Sequence, residues 1–246
     1  MKIGTIILCR YSSTRLPGKI LKKLNEKPVL SYLYEKFAKH IDNNDDLLVC
    51  TSTDPTDDIL VDFCKAHNMN VFRGSLENVA ERFLQAAEYM NYDYAVRING
   101  DALFVDIPTY LEMKEQCKKQ DYDFLSNVKG RSFPFGMSIE FVKTSFYSSI
   151  QHAIQTSARY REHVTLYLYE NDMIGKQQHI LNTVSPKLAG LDVALDEPKD
   201  WELYQDIMDK LGQDFYNCDL KQFSTVIQSI KDEYKLAGKT WTSTHS

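Results

Sequence analysis

The sequence has little excess charge, no closely spaced cysteines and no long apolar run. Its 246 residues carry 29 Lys and Arg against 34 Asp and Glu, a net charge of −5, which argues against a general nucleic-acid binder because such a protein needs a basic surface. The five cysteines form no Cys-x-x-Cys pair, so neither a disulfide framework nor a zinc site is expected. No apolar stretch approaches the ~20 residues of a membrane span. We expect a soluble, unprocessed, cytoplasmic protein that binds neither nucleic acid nor membrane.

Internal repeats and low-complexity linkers are also lacking, so we expect a single domain over residues 1–246. Apolar, β-branched runs alternate with helical spacing through the first half, which is typical of an α/β fold with a doubly wound, mostly parallel sheet. In this half, strands are predicted at 3–9, 47–50, 70–72, 94–98 and 122–127, and helices at 28–40, 56–68, 77–91 and 107–120.

The alternation ends after residue 127. Residues 130–143 are predicted to form an inserted arm or hairpin, and its Phe133, Phe135 and Phe141 are expected in the core or at a subunit interface. The polar tail over about 238–246 is expected to fray. Further helices are predicted at 144–156, 160–170, 198–211 and 219–236, and a strand pair at 179–184 and 189–195.

A short basic loop follows the first predicted strand. Arg10, Arg15 and Lys19 are interleaved with the hydroxyl residues Ser12, Ser13 and Thr14, where backbone N–H groups can approach an anion closely. Open α/β sheets bind ligands beyond the carboxyl ends of their strands, so this position favours a polyphosphate ligand. The loop lacks the glycine spacing of a Walker A motif. The alternative is a solvated basic turn.

Two aspartates follow apolar strand-like segments. Asp101 comes one Gly beyond the predicted strand 94–98, and Asp196 follows the apolar run 193–195. If both strands lie in one sheet, the two carboxylates project from its carboxyl edge near the basic loop and suit a Mg²⁺ ion that keeps several waters. In the alternative interpretations, Asp101 merely follows a turn and Asp196 is the N-cap of the next helix.

The run Arg10-Tyr-Ser-Ser-Thr-Arg-Leu-Pro-Gly-Lys19 resembles the signature loop of the cytidylyltransferases that activate sugar acids, chiefly the CMP-Kdo synthetase group and the spore-coat polysaccharide cytidylyltransferases. The segments 97–101 and 195–200 are similar to two Asp motifs of the spore-coat relatives. The resemblance implies a Rossmann-like, GT-A-like nucleotidyltransferase fold. The chain departs from the family pattern at Cys9, where Ala is common, at Ala102-Leu103, which replace Cys-Pro, and at Ser138, which replaces Asp.

The resemblance also implies roles for individual residues. CTP and a small acidic sugar would be the substrates, Mg²⁺ the cofactor, and the arm the contact of a homodimer. Catalysis is assigned to Arg10, Arg15, Lys19 and Asp101, and the metal to Asp101 and Asp196. Nucleotide binding is assigned to Cys9, Arg10, Ser12, Ser13, Lys19, Thr51, Thr53, Arg73, Gly74 and Asn99, and acceptor binding to Arg131, Glu140, Arg161 and His163. Two of these have structural alternatives: Arg73 as a surface ion pair and His163 as a buried histidine.

These features predict an enzyme that transfers CMP from CTP to a 2-keto-3-deoxy sugar acid, of octulosonic or nonulosonic type, and releases pyrophosphate for surface polysaccharide or glycan synthesis. Two other hypotheses remain at this point. A sugar-nucleotide-dependent glycosyltransferase would usually carry an Asp-x-Asp motif, of which Asn99-Gly100-Asp101 keeps only the second carboxylate. A non-catalytic nucleotide-binding protein would keep the loop but lose turnover through Ser138.

Overall fold

The apolar run near the N-terminus forms a central, fully buried strand. The computed structural model describes residues 1–13, 15–239 and 241. All six residues of β1 (Ile3–Leu8) are buried, and β1 pairs in parallel with β4 (Leu47–Ser52) on one side and β6 (Tyr94–Asn99) on the other. A strand with neighbours on both edges and helices on both faces needs apolar residues throughout, which accounts for its composition.

The main sheet has the strand order β5-β4-β1-β6-β8-β7-β9. Its remaining strands are β5 (Val71–Gly74), β7 (Phe124–Ser126), β8 (Glu140–Lys143) and β9 (Gln177–His179), and a small separate hairpin joins β2 (Lys23–Leu24) to β3 (Lys27–Pro28). The strands β5, β4, β1 and β6 are parallel, whereas β8 runs antiparallel to both β6 and β7. The prediction of a mostly parallel α/β sheet is confirmed.

Helices cover both faces of this sheet. They are α1 (Val29–Ala38), α2 (Asp58–Ala66), α3 (Val79–Tyr89), α4 (Ile107–Lys119), α5 (Thr144–Ser149), α6 (Gln151–Ile154), α7 (Ala158–Glu162), α8 (Leu166–Glu170), α9 (Asp200–Leu211) and α10 (Leu220–Leu236). Several of these helices begin at a residue whose side chain caps the first turn. Asn78 caps α3, Asp106 caps α4, and Asp219 forms a capping box on α10. Within the described residues, no helix combines the length and apolarity needed to cross a bilayer.

Two apolar clusters form the core, one on each face of the sheet. Alternate residues of β1 divide between them: Ile3 and Ile7 join the cluster that contains α1 and α4, whereas Ile6 and Leu8 join the cluster that contains α3. Side chains of a strand point alternately to opposite faces, so one strand supplies both cores. The carboxyl ends of β1 and β6 are thereby fixed next to each other.

The predicted arm over residues 130–143 is wrong for its last four residues. Residues 140–143 are β8, which lies inside the sheet between β6 and β7, and Phe141 and Val142 are fully buried. The preceding residues pack on the body of the protein through buried Phe133 and Met137. An apolar pair flanked by partner strands on both sides is stabilised by burial, so this segment completes the sheet instead of projecting from it.

Three other predicted elements differ from the structure. The helices expected at 144–156 and 160–170 are each divided into two short helices. Of the strand pair expected at 179–184 and 189–195, only β9 forms, slightly earlier in the chain, and the later segment makes a single bridge between Phe135 and Asp192. The frayed tail predicted over about 238–246 falls largely on residue 240 and residues 242–246, which lie outside the described residues.

Candidate active site

A cleft of about 270 Å³ opens at the carboxyl edge of the sheet, where β1 and β6 end. Side chains from the loop after β1, the turn after β6, the end of α7 and the segment before α9 line it. Nine of the predicted site residues meet in this cleft: Cys9, Arg10, Ser13, Arg15, Lys19, Asn99, Asp101, His163 and Asp196. The cleft is therefore the place where the separate sequence motifs converge.

Lys19 stands at the centre of this convergence. Its ammonium lies 2.7 Å from a carboxylate oxygen of Asp101 and 3.1 Å from one of Asp196. It also donates to the carbonyl oxygen of Leu195 at 2.5 Å. Arg15 contacts the same Asp196 oxygen at 3.1 Å. Two carboxylates that are distant in sequence therefore share one cation, in a position only 12% exposed for the lysine side chain.

The backbone around both carboxylates is fixed by neighbouring side chains. Asp200 accepts hydrogen bonds from the N–H groups of Asp196 and Glu197, at 2.9 and 2.7 Å. The Tyr204 hydroxyl lies 2.7 Å from the carbonyl oxygen of Asp101 and 2.8 Å from that of Val193. The N-cap alternative for Asp196 is wrong, because α9 begins at Asp200 with Lys199 as its cap residue and the Asp196 carboxylate faces Lys19.

Gly100 permits the close approach of the two strand ends. A Cβ atom at this position would lie 2.5 Å from the Cβ of Cys9 and 2.8 Å from the Ile20 side chain. Its N–H donates to the carbonyl oxygen of Leu8 at 2.8 Å and so extends the β1–β6 pairing. Any larger residue would push Asp101 away from the basic loop.

Asp57, which the sequence interpretation missed, anchors the start of the basic loop. This buried carboxylate accepts the N–H of Tyr11 at 2.7 Å, the hydroxyl of Thr51 at 2.8 Å, and both the hydroxyl and the N–H of Ser52. Burial opposes its charge, yet these hydrogen bonds hold the pKa of Asp57 below its ordinary value. Thr51, assigned to nucleotide binding, has its side chain buried against Asp57, so only its backbone remains for that role.

The remaining residues assigned to nucleotide binding do not line the cleft. Arg73 pairs with Asp58 at 2.7 Å and donates to the backbone carbonyls of Ser52 and Asp54, as in its ion-pair alternative. Thr53 is exposed and its N–H bonds to the carbonyl oxygen of Gly74 at 2.8 Å. Ser12 is half-buried beside the cleft, and Thr14 lies outside the described residues.

Gly74 leaves space for an arginine that the sequence interpretation did not select. A Cβ on Gly74 would lie 2.7 Å from the Cγ of Arg82. Arg82, on α3, is 1% exposed overall and lines the cleft. One of its terminal nitrogens donates to the carbonyl oxygen of Ser75 at 2.7 Å. The absence of a side chain at Gly74 therefore allows Arg82 to reach the cleft. The sequence signal for this arrangement was a charged residue on an otherwise apolar face of α3.

Of the four residues predicted to bind the acceptor, one lines the cleft and three do not. His163 is exposed and lines the cleft, so the alternative of a buried histidine is wrong. Arg161 donates to the carbonyl oxygen of Gln155 at 2.8 Å, and the Arg131 guanidinium stacks on the ring of Phe135; both lie outside the cleft. Glu140 is 2% exposed and pairs with Arg97, so direct contact between Glu140 and a substrate is wrong.

Two side chains near the loop have environments with chemical consequences. Arg10 pairs with Glu162 of α7 at 3.5 Å across the cleft, with both side chains partly exposed.

Burial, reinforced by neighbouring Cys64 and Cys50, raises the pKa of the Cys9 thiol well above its ordinary value. Cys9 is therefore a neutral, inert wall of the cleft at physiological pH.

The carboxylate pair fits a divalent cation that retains other ligands. The described residues contain no group of three or more His, Cys, Asp or Glu side chains that would enclose a metal ion by itself. Asp101 and Asp196 already share a cation, the Lys19 ammonium. Magnesium commonly binds one or two carboxylates together with phosphate oxygens and water, so the donor set matches a nucleotide-bound ion.

A basic loop and two converging carboxylates at the carboxyl edge of a mostly parallel sheet define a nucleotide-handling α/β enzyme. Residues 5–218 match the family described as Cytidylyltransferase. The chain belongs to this family and is a CTP-dependent nucleotidyltransferase.

Individual proteins agree with this assignment. The spore coat polysaccharide biosynthesis protein SpsF of Bacillus subtilis is 30% identical over 214 residues, covering 85% of this chain and 87% of that protein. The 3-deoxy-manno-octulosonate cytidylyltransferase of Christiangramia forsetii is 30% identical over 130 residues, about half of each chain (51% and 50%). A cytidylyltransferase structure from Leptospira borgpetersenii superposes with a TM-score of 0.82 at 26% identity over 100% of both chains.

Proposed function

We propose that this enzyme transfers CMP from CTP to the anomeric hydroxyl of a 2-keto-3-deoxy sugar acid and releases pyrophosphate. The observation that carries the proposal is the contact of Lys19 with both Asp101 and Asp196, which brings the basic loop and the two Asp motifs to one point. The names of the Christiangramia and Bacillus relatives support a sugar acid destined for a surface polysaccharide.

The reaction places the following demands on the residues of the cleft. The anomeric oxygen attacks the α-phosphorus, the bond from that phosphorus to the bridging oxygen breaks, pyrophosphate leaves, and the hydroxyl proton passes to solvent. Arg10, Arg15 and Lys19 would hold the triphosphate and stabilise the charge that develops on the leaving group. The protein needs no covalent nucleophile for this chemistry.

Asp101 and Asp196 would hold a Mg²⁺ ion in this proposal. When bound, the ion supplies neutralisation of the triphosphate charge. Lys19 now occupies the space between the two carboxylates, so in the loaded enzyme its ammonium would turn toward a phosphate oxygen.

The proposal is tested by measuring pyrophosphate release from CTP with Mg²⁺ and a panel of octulosonic and nonulosonic acids. Release that depends on one of these acids and on CTP, with little from UTP, is expected. The Lys19→Met variant should lose this activity, whereas Lys129→Met, which removes a lysine paired with Asp172 outside the cleft, should keep it. A wild-type protein that binds CTP but remains silent with every acid would contradict the proposed acceptor class.

Two properties implied by the family resemblance complete the proposal. We propose that the 246 residues act as one domain and that the active form is a homodimer. Light scattering at several protein concentrations measures the second property directly, and a mass equal to a single chain at all of them would refute it.

A further inference from the structure

A row of polar residues crosses three adjacent strands of the sheet. Arg97 of β6 lies directly opposite Glu140 of β8, and Glu140 lies directly opposite Ser126 of β7. Side chains opposite each other on antiparallel strands are close enough to interact, and the residues next to this row on the three strands are mostly apolar. Such a row in a buried sheet requires complete hydrogen bonding to be stable.

Glu140 is the centre of this row. One of its carboxylate oxygens pairs with Arg97, and the other accepts the hydroxyl groups of Thr165 and Tyr169, both at 2.6 Å. The Tyr169 hydroxyl in turn lies 2.5 Å from that of Ser126. The Arg97 side chain is thus linked through Glu140 to α8, which follows directly after the cleft residues Glu162 and His163.

The Arg97 side chain reaches the cleft and keeps one nitrogen unpaired among the described residues. The side chain is 17% exposed, lines the cleft, and its Nε is buried without a hydrogen-bond partner among the described residues. Burial opposes its charge, but the Glu140 carboxylate outweighs that effect and raises the pKa of Arg97. The guanidinium is therefore permanently charged and held in one orientation.

The remaining cations of the cleft have other positions and partners. Arg15 and Lys19 pair with Asp196, and Arg10 pairs with Glu162. Arg82 extends from α3 on the opposite side of β1, next to the end of β5. Arg97 is the arginine that stands on β6, two residues before Asn99 and on the same face, so it borders the part of the cleft away from β4 and β5.

We propose that Arg97, oriented by Glu140, binds the carboxylate of the acceptor acid and so selects acids over neutral sugars. This inference rests on the proposed function for the identity of the acceptor as an acid. In a 2-keto acid the carboxylate is attached to the anomeric carbon, so a guanidinium that holds it also orients the attacking oxygen. Glu140 is the positioning residue that prevents rotation of the arginine fork.

The test compares wild-type enzyme with Arg97→Met, Arg97→Lys and Glu140→Gln, using the acid from the panel that gives the fastest pyrophosphate release. We expect Arg97→Met to raise the KM for the acid about 10- to 100-fold, the usual effect of losing a hydrogen bond to a charged group. The melting-temperature shift given by CTP with Mg²⁺ should be unchanged. Arg97→Lys keeps a cation opposite Glu140, so this variant replaces Arg97→Met in the test if the methionine variant fails to fold. Glu140→Gln should raise the same KM by a smaller factor.

A substrate comparison separates carboxylate binding from a structural role. The wild-type enzyme should prefer the acid over its primary amide, and the preference should fall at least tenfold in Arg97→Met, while Arg159→Met retains it. Arg159 is 69% exposed and pairs with Glu170 outside the cleft. A variant at position 97 that keeps the preference, or that loses CTP binding instead, overturns the inference and leaves the proposed function intact.

Binding measurements distinguish failure of the inference from failure of the proposed function. Calorimetry with octulosonic acid, in the presence of a CTP analogue that cannot react, requires no turnover. Weaker binding by Arg97→Lys than by the wild-type enzyme supports the inference even where no acid of the panel is a substrate. Absence of wild-type binding to octulosonic acid and, in the same experiment, to every nonulosonic acid of the panel overturns both proposals.

Discussion

Lys19 and Asp101 form an ion pair of 2.7 Å although 82 residues separate them in the chain. The pair joins the loop after β1 to the turn after β6, and both side chains are mostly shielded from solvent. Gly100 and Tyr204 fix the backbone of Asp101, so the contact is built into the sheet edge. Its geometry makes Asp101 a residue on which the proposed reaction should depend.

Replacement of Asp101 by Asn should therefore reduce activity strongly. We expect kcat for pyrophosphate release to fall about 10²- to 10³-fold, as for the loss of a preorganised group that stabilises charge in a transition state. Steady-state assays at saturating CTP measure this effect. Asp172→Asn removes an exposed carboxylate that pairs with Lys129 and should leave kcat unchanged. Equal activity of the two variants would exclude Asp101 from the reaction.

The ion pair between Arg10 and Glu162 leads to a second prediction. Partly exposed pairs of this kind contribute about 1 kcal/mol at most, yet Glu162 competes with a triphosphate for the Arg10 guanidinium. Glu162→Gln should therefore lower the KM for CTP, by up to about fivefold, with little change in the free energy of unfolding. Glu170→Gln, which removes the partner of Arg159 outside the cleft, is the matched control. A higher KM for CTP in Glu162→Gln would show that Glu162 assists nucleotide binding.

The parallel strands of the first half and the carboxylate that follows β6 were predictable because their signals are local. The β-branched run of β1 indicated a buried strand, and a carboxylate placed just beyond an apolar run indicated the edge of a parallel sheet. The position of Asp101 relative to Lys19 followed from those two rules, whereas Asp196 reaches Lys19 from a segment that does not form the predicted strand. Spacing alone could not decide between a cleft residue and an N-cap for Asp196, because the start of α9 depends on Asp200.

The acceptor side was not predictable in the same way. Arg131, Arg161 and Glu140 were assigned to acceptor binding, but the antiparallel insertion of β8 places Glu140 opposite Arg97 inside the sheet. Arg97 belongs to the segment 97–101, from which the sequence analysis assigned roles only to Asn99 and Asp101. The proposed role of Arg97 depends on Glu140, a cross-strand neighbour that lies 43 residues later. Long-range pairing of this kind carries no local pattern, so one sequence cannot reveal it.

Cysteine labelling gives a third prediction. All five cysteines are buried, and burial raises the pKa of Cys50, Cys64 and Cys117 to about 12 and of Cys218 to about 11. Native protein treated briefly with iodoacetamide at pH 8 should therefore acquire no label, and protein unfolded in urea should acquire five. Mass spectrometry of intact protein counts the adducts. A single adduct on native protein that CTP prevents would show that Cys9 is accessible from the cleft.

Lys36 gives a fourth prediction, which concerns stability. Its side chain is 2% exposed on α1, and its ammonium lies 4.6 Å from the centre of the Phe215 ring. Among the described residues no carboxylate lies within ion-pair distance of it. Burial lowers the pKa of Lys36 to about 8 from 10.5, although Cys218 and Asp106 oppose that effect. The buried charge therefore destabilises the folded state at pH 7.

Lys36→Met should consequently stabilise the protein by about 1–3 kcal/mol at pH 7, because a well-packed apolar side chain replaces an unpaired buried charge. Between pH 8 and 10.5 the unfolded chain keeps a proton on Lys36 that the folded chain has lost, so the stability of the wild-type protein rises relative to the variant. The advantage of Lys36→Met in urea unfolding should thus be largest at pH 7 and small at pH 10. Lys39→Met changes an exposed lysine next to the same helix and should show no such pH dependence. A stabilisation that is equal at both pH values would mean that packing, and not the charge of Lys36, determines the difference.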